Sequence, residues 1–186
     1  MIRRWKLAVI TIGLAAGTAS AAIVATGLDA VQFVPADVRL NQTESDVRII
    51  AFNERQQPCV VLPYDLPVDN GVIPKGTKLK SHFNHADPKT TLLLDGRVRY
   101  DTQIVGVIST SAGLDATDAL FGRPGVVYPA PGAEPNRGLE PGVQADQYQI
   151  IAGGFAIQYR LEVPLDSYSD QIRVLNCCGE NCQVGD

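Results

Sequence analysis

Past its opening stretch the chain has no apolar run long enough to cross a bilayer, which takes about 20 apolar residues in a helix. It has no cluster of lysine and arginine either: 16 basic residues face 20 acidic ones, for a formal charge of −4. Such a surface repels phosphate backbones, so nucleic-acid binding is disfavoured. No serine sits in a G-x-S-x-G elbow, which removes the plainest sign of a serine hydrolase. No glutamate pair suggests a glycosidase, and no internal repeat suggests a solenoid. With only two histidines and four cysteines, the material for metal or nucleophilic chemistry is sparse.

What is present first is a leader. Arg3, Arg4 and Lys6 are followed by the apolar run Leu7 to Ala16 and by Ala19-Ser20-Ala21, a small-x-small site. Residues 1–21 therefore read as a secretory signal cut near Ala21, with secretion or a periplasmic and cell-envelope residence expected. Cutting there removes three of the 16 basic residues and no acidic one, leaving 13 against 20 and a charge of −7. The remainder is enough for one ordinary core. Residues 22–44 are expected to lead into the domain, 45–175 to form it, and 176–186 to make a cysteine-rich tail.

Outside the cytoplasm an even cysteine count predicts disulfides. Cys59 stands alone, whereas Cys177, Cys178 and Cys182 crowd the tail. The expected arrangement ties Cys59 to Cys177 or Cys178, with Cys182 closing a small local loop. A thiolate metal site in the tail is the alternative.

Strand and turn signals dominate the rest. In Phe155 to Val163 apolar residues alternate with Ala156, Gln158, Arg160 and Glu162, a period of two. Gly153-Gly154 separates that strand from Tyr148 to Ile151 as a hairpin. Asn70-Gly71 and Asp95-Gly96 predict two further hairpins, the second between Thr91–Leu94 and Arg97–Tyr100. Other strands are expected at Val47–Phe52, Cys59–Leu62, Lys78–Phe83, Gln103–Ser109 and Gln171–Leu175. Ile104 to Ile108 is apolar on both faces and should lie mid-sheet. One helix is expected from Asp115 to Phe121, stopped by Gly122. Arg123 to Gly142, rich in proline and glycine, is expected to be a long surface loop. Together these elements predict an all-β fold, an antiparallel β-sandwich or jelly-roll-like domain with one short helix.

Two clusters contain ligand chemistry. His82, His85 and Asp87 form His-x-x-His-x-Asp, the residue types of a metal site. Strand parity opposes it, because His82 shares a face with Lys78 and Lys80 while His85 shares one with Leu79 and Phe83. The competing reading leaves His82 solvated and His85 partly buried at the strand end. Asp115 and Asp118, with Asp87 or Asp101, have the oxygen chemistry of a calcium site. Against that, Asp115 reads as a helix N-cap with Asp118 completing a capping box, and Leu114 and Ala119 as a staple.

The segments Ile73–Pro88, Gly96–Ile108, Leu114–Gly122, Pro124–Pro129, Arg137–Glu140 and Asp170–Val174 resemble a family of exported bacterial proteins. Many of its members carry a C-terminal PEP-type (PEP-CTERM) sorting signal. The resemblance covers roughly residues 45 to 175 and implies an extracellular or cell-envelope protein. That family has no assigned biochemical activity, so no catalytic residue transfers. The chain departs from the family's pattern at its end, which shows no Pro-Glu-Pro motif, apolar tail or basic cluster. The expectation is a non-catalytic surface, matrix or binding protein, with extracellular polysaccharide or envelope proteins as partners. A calcium-dependent carbohydrate-binding module and a secreted hydrolase are the alternatives.

Overall fold

The computed structural model describes residues 22–42, 45–90, 92–139, 146–163 and 169–178. In chain order the first strands are β1 (Ile23–Leu28), β2 (Ala30–Gln32), β3 (Ile49–Asn53), β4 (Val60–Val61), β5 (Leu66–Val68) and β6 (Gly71–Ile73). They are followed by β7 (Lys78–Ala86), β8 (Leu92–Tyr100), β9 (Ile104–Ile108) and the helix α1 (Ser111–Phe121). The last are β10 (Gln147–Ile151), β11 (Ala156–Val163) and β12 (Asp170–Cys177).

Two sheets stack. One has the order β1-β8-β11-β10; the other runs β2-β3-β7-β12-β9, with β4 pairing the start of β7. Among the described residues the strands pair antiparallel except β2 with β3. The fold is an all-β sandwich with one helix. Among the described residues no helix is long and apolar enough to cross a membrane.

Alternation decides which side chains meet. On β11, Ile157, Tyr159, Leu161 and Val163 are buried, and Arg160 faces water. They pack on Leu94, Val98 and Tyr100 of β8 and on Ile49, Ala51, Ile172 and Val174 of the larger sheet. Each large apolar side chain so buried contributes about 1.5–3 kcal/mol. The larger sheet has a second buried face. Ile50, Phe52, Leu79, Phe83 and Leu175 pack under Leu114 and Phe121 of α1 and under Leu66 and Ile73 of the β5–β6 hairpin. It is therefore a middle layer, covered on both sides.

That layering corrects several expectations. Asp95-Gly96 makes no turn: β8 runs unbroken through it, pairing Gly96 with Leu28 on one side and Tyr159 on the other. The glycine serves close packing. A Cβ there would run into Ile49 Cδ1 and lie 3.5 Å from Tyr159 Cδ2. Asn70-Gly71 does turn, with Gly71 at φ 139°. Gly153 and Gly154, at φ 67° and 94°, make the tight turn between β10 and β11.

Within residues 22–42, expected to lead into the domain, β1 and β2 each supply an edge strand to one of the two stacked sheets. β9 is terminal in its sheet, where a mid-sheet place was expected. A register shift at Val105 places Val105 and Ile108 toward the helix, and Ile104 and Val107 toward the sandwich. The β5–β6 hairpin then covers it: a Cβ on Gly106 would meet Ile73 Cδ1 at 2.8 Å and Val68 Cγ1 at 2.9 Å.

Candidate functional site

α1 begins four residues before the expected start. Thr110 is its N-cap, Oγ1 accepting from the Gly113 N–H at 3.2 Å. Asp115 and Asp118 therefore lie inside the helix and do not cap it, which removes the capping box and its staple. The helix presents Leu114, Thr117 and Phe121 to the middle sheet at the spacing of one face. Asp118, one turn after Leu114, comes down on the same side.

There it meets two arginines that strand and loop reading missed. Arg173 on β12 is fully buried. It donates to Glu54 through Nε at 2.8 Å and Nη2 at 2.7 Å, to Asp118 Oδ1 at 2.9 Å, and to Thr117 Oγ1 at 2.5 Å. Its guanidinium also lies over the Phe83 ring, 5.1 Å from the centroid. Burial alone would lower its pKa, but the charges of and hydrogen bonds to Glu54 and Asp118 outweigh that and raise it.

Arg137, on the strap 123–139 and also fully buried, donates through Nη1 to Asp115 at 2.8 Å and to Asp118 at 2.6 Å. Its Nε donates to Gln171 at 2.9 Å. The cation facing Asp115 and Asp118 is thus a guanidinium. Among the described residues no group of three His, Cys, Asp or Glu side chains could hold a metal ion. Asp87 is buried at the end of β7 and does not complete a site with the other two.

The histidines point apart, as parity requires. Both are buried, including His82, which was expected in water. β7 is covered on both faces, so neither parity reaches solvent. His82 Nδ1 lies 2.8 Å from Asn53 Oδ1, and its ring packs against Tyr100 at 4.6 Å between centroids. His85 has no hydrogen-bond partner for either nitrogen among the described residues. Burial, with the charge of Lys80, pulls His82 down to about 3. Burial and the Arg137 charge, partly offset by Asp37, do the same to His85, also to about 3. Both imidazoles are neutral scaffold groups.

Cys59 pairs with Cys178, one of the two partners expected. Cys177 is disulfide-bonded as well; Cys182 and its expected loop lie outside the described residues.

An accessible concavity lies elsewhere, on the side of the sandwich where β9 and β10 end their sheets. Two cavities, of about 470 Å³ and 680 Å³, share Asp69 and Thr110. The first, between the β5–β6 hairpin and α1, is floored by Leu66, Val68, Ile108 and Ala116, with exposed Tyr64 at its rim. The second, toward β10, is lined by Ser109, Leu139, Asp146, Gln147 and Tyr148. Asp69 is held in place between them. Its N–H donates to Val107 O at 2.8 Å. Oδ1 accepts from the Ser109 N–H at 3.2 Å, and Oδ2 from the Tyr148 hydroxyl at 3.0 Å. Burial, reinforced by the Asp69 charge, raises the Tyr148 pKa and keeps the phenol a donor.

No motif marks this cleft in the sequence. Its only trace is the Asn70-Gly71 turn, which fixes Asp69 at the hairpin tip. Comparison with protein-family models, curated proteins and solved structures finds no match to the chain.

Proposed function

We propose that the protein is an exported, non-catalytic binding module that takes its ligand in the cleft around Asp69. One observation carries this reading. The histidines and the helix aspartates are spent inside the scaffold, whereas Asp69 and Tyr148 are locked by hydrogen bonds yet face an open two-part cavity. A concave site with an apolar floor and a few fixed polar groups is the usual form of a binding site. The leader and the family resemblance support a surface or matrix setting, with polysaccharide or envelope protein as ligand.

The test is a titration of the purified protein with polysaccharides and peptides, beside the variant Ala116→Phe. Ala116 is exposed on α1 and lines the apolar cavity, so the larger ring fills it without entering the core. Binding by the wild type and its loss in a normally folded variant are expected. Equal binding by both would refute the site.

A hydrolase is the second reading, favoured by one fact: Asp69 and Asp146 line the same cavity. Two carboxylates about one bond are the minimum for glycoside hydrolysis. Turnover of an oligosaccharide that is abolished by both Asp69→Asn and Asp146→Asn would establish it.

A further inference from the structure

The expected cut at Ala21 falls beside a prepared acceptor. Ala22 N lies 2.7 Å from Asp101 Oδ1, and the Asp101 N–H donates back to Ala22 O at 3.2 Å. Asp101 thus grips the backbone of Ala22 at both its nitrogen and its oxygen. The turn that carries it, between Tyr100 of β8 and Ile104 of β9, is itself tied to β12. The Asn176 side chain donates to Thr102 O at 2.6 Å, and the Cys177 N–H to Gln103 O at 3.3 Å.

The next amide is held in the same manner. The Ile23 N–H donates to Asn53 Oδ1 at 3.3 Å, while the Ile23 side chain packs in the sandwich core. Two successive N–H groups therefore end on side-chain oxygens. The ladder of β1 against β8 becomes regular only from Ala25, past a register shift. Side chains, not a partner strand, finish it at Ala22.

In an uncut chain Ala22 N carries one hydrogen and no charge. Hydrolysis of the Ala21–Ala22 bond breaks its C–N link: the hydroxyl of water goes to the Ala21 carbonyl carbon and the proton to the Ala22 nitrogen. Below a pKa of about 8 the freed amine takes up a second proton and becomes an ammonium. Facing a carboxylate at 2.7 Å, it makes an ion pair as well as a hydrogen bond, which a neutral amide cannot. The Asp101 charge also acts on buried Lys80, and a carboxylate has two oxygens with which to serve both.

We propose that a signal peptidase cuts between Ala21 and Ala22, and that Asp101 captures the new α-ammonium and so fixes β1 at the edge of its sheet. This rests on the export part of the reading above and is independent of the cleft.

The experiment exports the full chain from a bacterial host and sequences the mature N-terminus, which should begin at Ala22. The pH dependence of N-terminal acylation then gives the α-amino pKa. It should exceed the ordinary 7.7–8.0 by about half a unit or more, and the excess should shrink in 1 M salt. Asp101→Asn should return it to the ordinary range. One glycine added before Ala22 should do the same by moving the ammonium a residue away, which keeps the test open if Asp101→Asn does not fold. A cut at another bond, or a pKa that neither variant moves, overturns the inference and leaves export standing. A chain that is neither cut nor exported overturns both.

Discussion

Glu54 and Arg173, 119 positions apart, form a forked ion pair in which neither side chain reaches solvent. The pair joins the end of β3 to the interior strand β12, and through Asp118 it extends to α1 and the strap. Removing one partner strands a buried charge, which costs about 3–5 kcal/mol. Glu54→Gln and Arg173→Met should each lower the unfolding free energy measured in urea by an amount in that range. A loss below about 1 kcal/mol would mean that the network contributes little.

Acid should unfold the protein through its histidines. Both are about 3 in the fold against 6.5 when unfolded, so below pH 6.5 the unfolded chain binds more protons. Stability is then complete above pH 6.5 and lost as pH falls toward 3, by about 1.4 kcal/mol per unit for each histidine. His85 faces Arg137 and Asp37 and makes no hydrogen bond among the described residues, so leucine is a fair replacement. His85→Leu should roughly halve the slope of unfolding free energy between pH 5 and 6.5. An unchanged slope would show that His85 already titrates in the fold.

Gly96 tests the packing between the layers. Gly96→Ala should cost about 1–3 kcal/mol by overpacking against Ile49. Adding Ile49→Val, which deletes the colliding Cδ1, should recover part of that loss. Independent, additive effects would contradict the contact.

Much of the sandwich was legible because β11 keeps a strict period of two and Asn70-Gly71 is a turn wherever it falls. Asp95-Gly96 has the same local chemistry but failed, because the demand on Gly96 comes from Ile49, 47 positions away in the sequence. β12 shows the same blindness. Its run from Asp170 to Cys177 contains charged and amide side chains that read as a wet face, yet every residue is buried. Distant partners make that possible: Glu54 and Asp118 pair Arg173, Arg137 and the Val38 carbonyl bond Gln171, and the Thr102 carbonyl accepts from Asn176. The Asp69 cleft was invisible for a related reason: Tyr148 reaches it from 79 positions away.

The disulfide closes a separation of 119 residues, from Cys59 just before β4 to Cys178 just after β12. Chain entropy assigns such a link about 2–5 kcal/mol. Cys59→Ser with Cys178→Ser should lower stability by that much while leaving the fold's circular dichroism intact. No loss would mean that the bridge is dispensable.

The most direct test is to record amide NMR shifts of the labelled protein as a bound ligand is titrated in. Shifts should cluster at Val68, Asp69, Ser109, Thr110, Gln147 and Tyr148, around the shared wall of the two cavities. Shifts gathered instead on the outer face of the four-stranded sheet, at Arg97 and Gln158, would contradict the account.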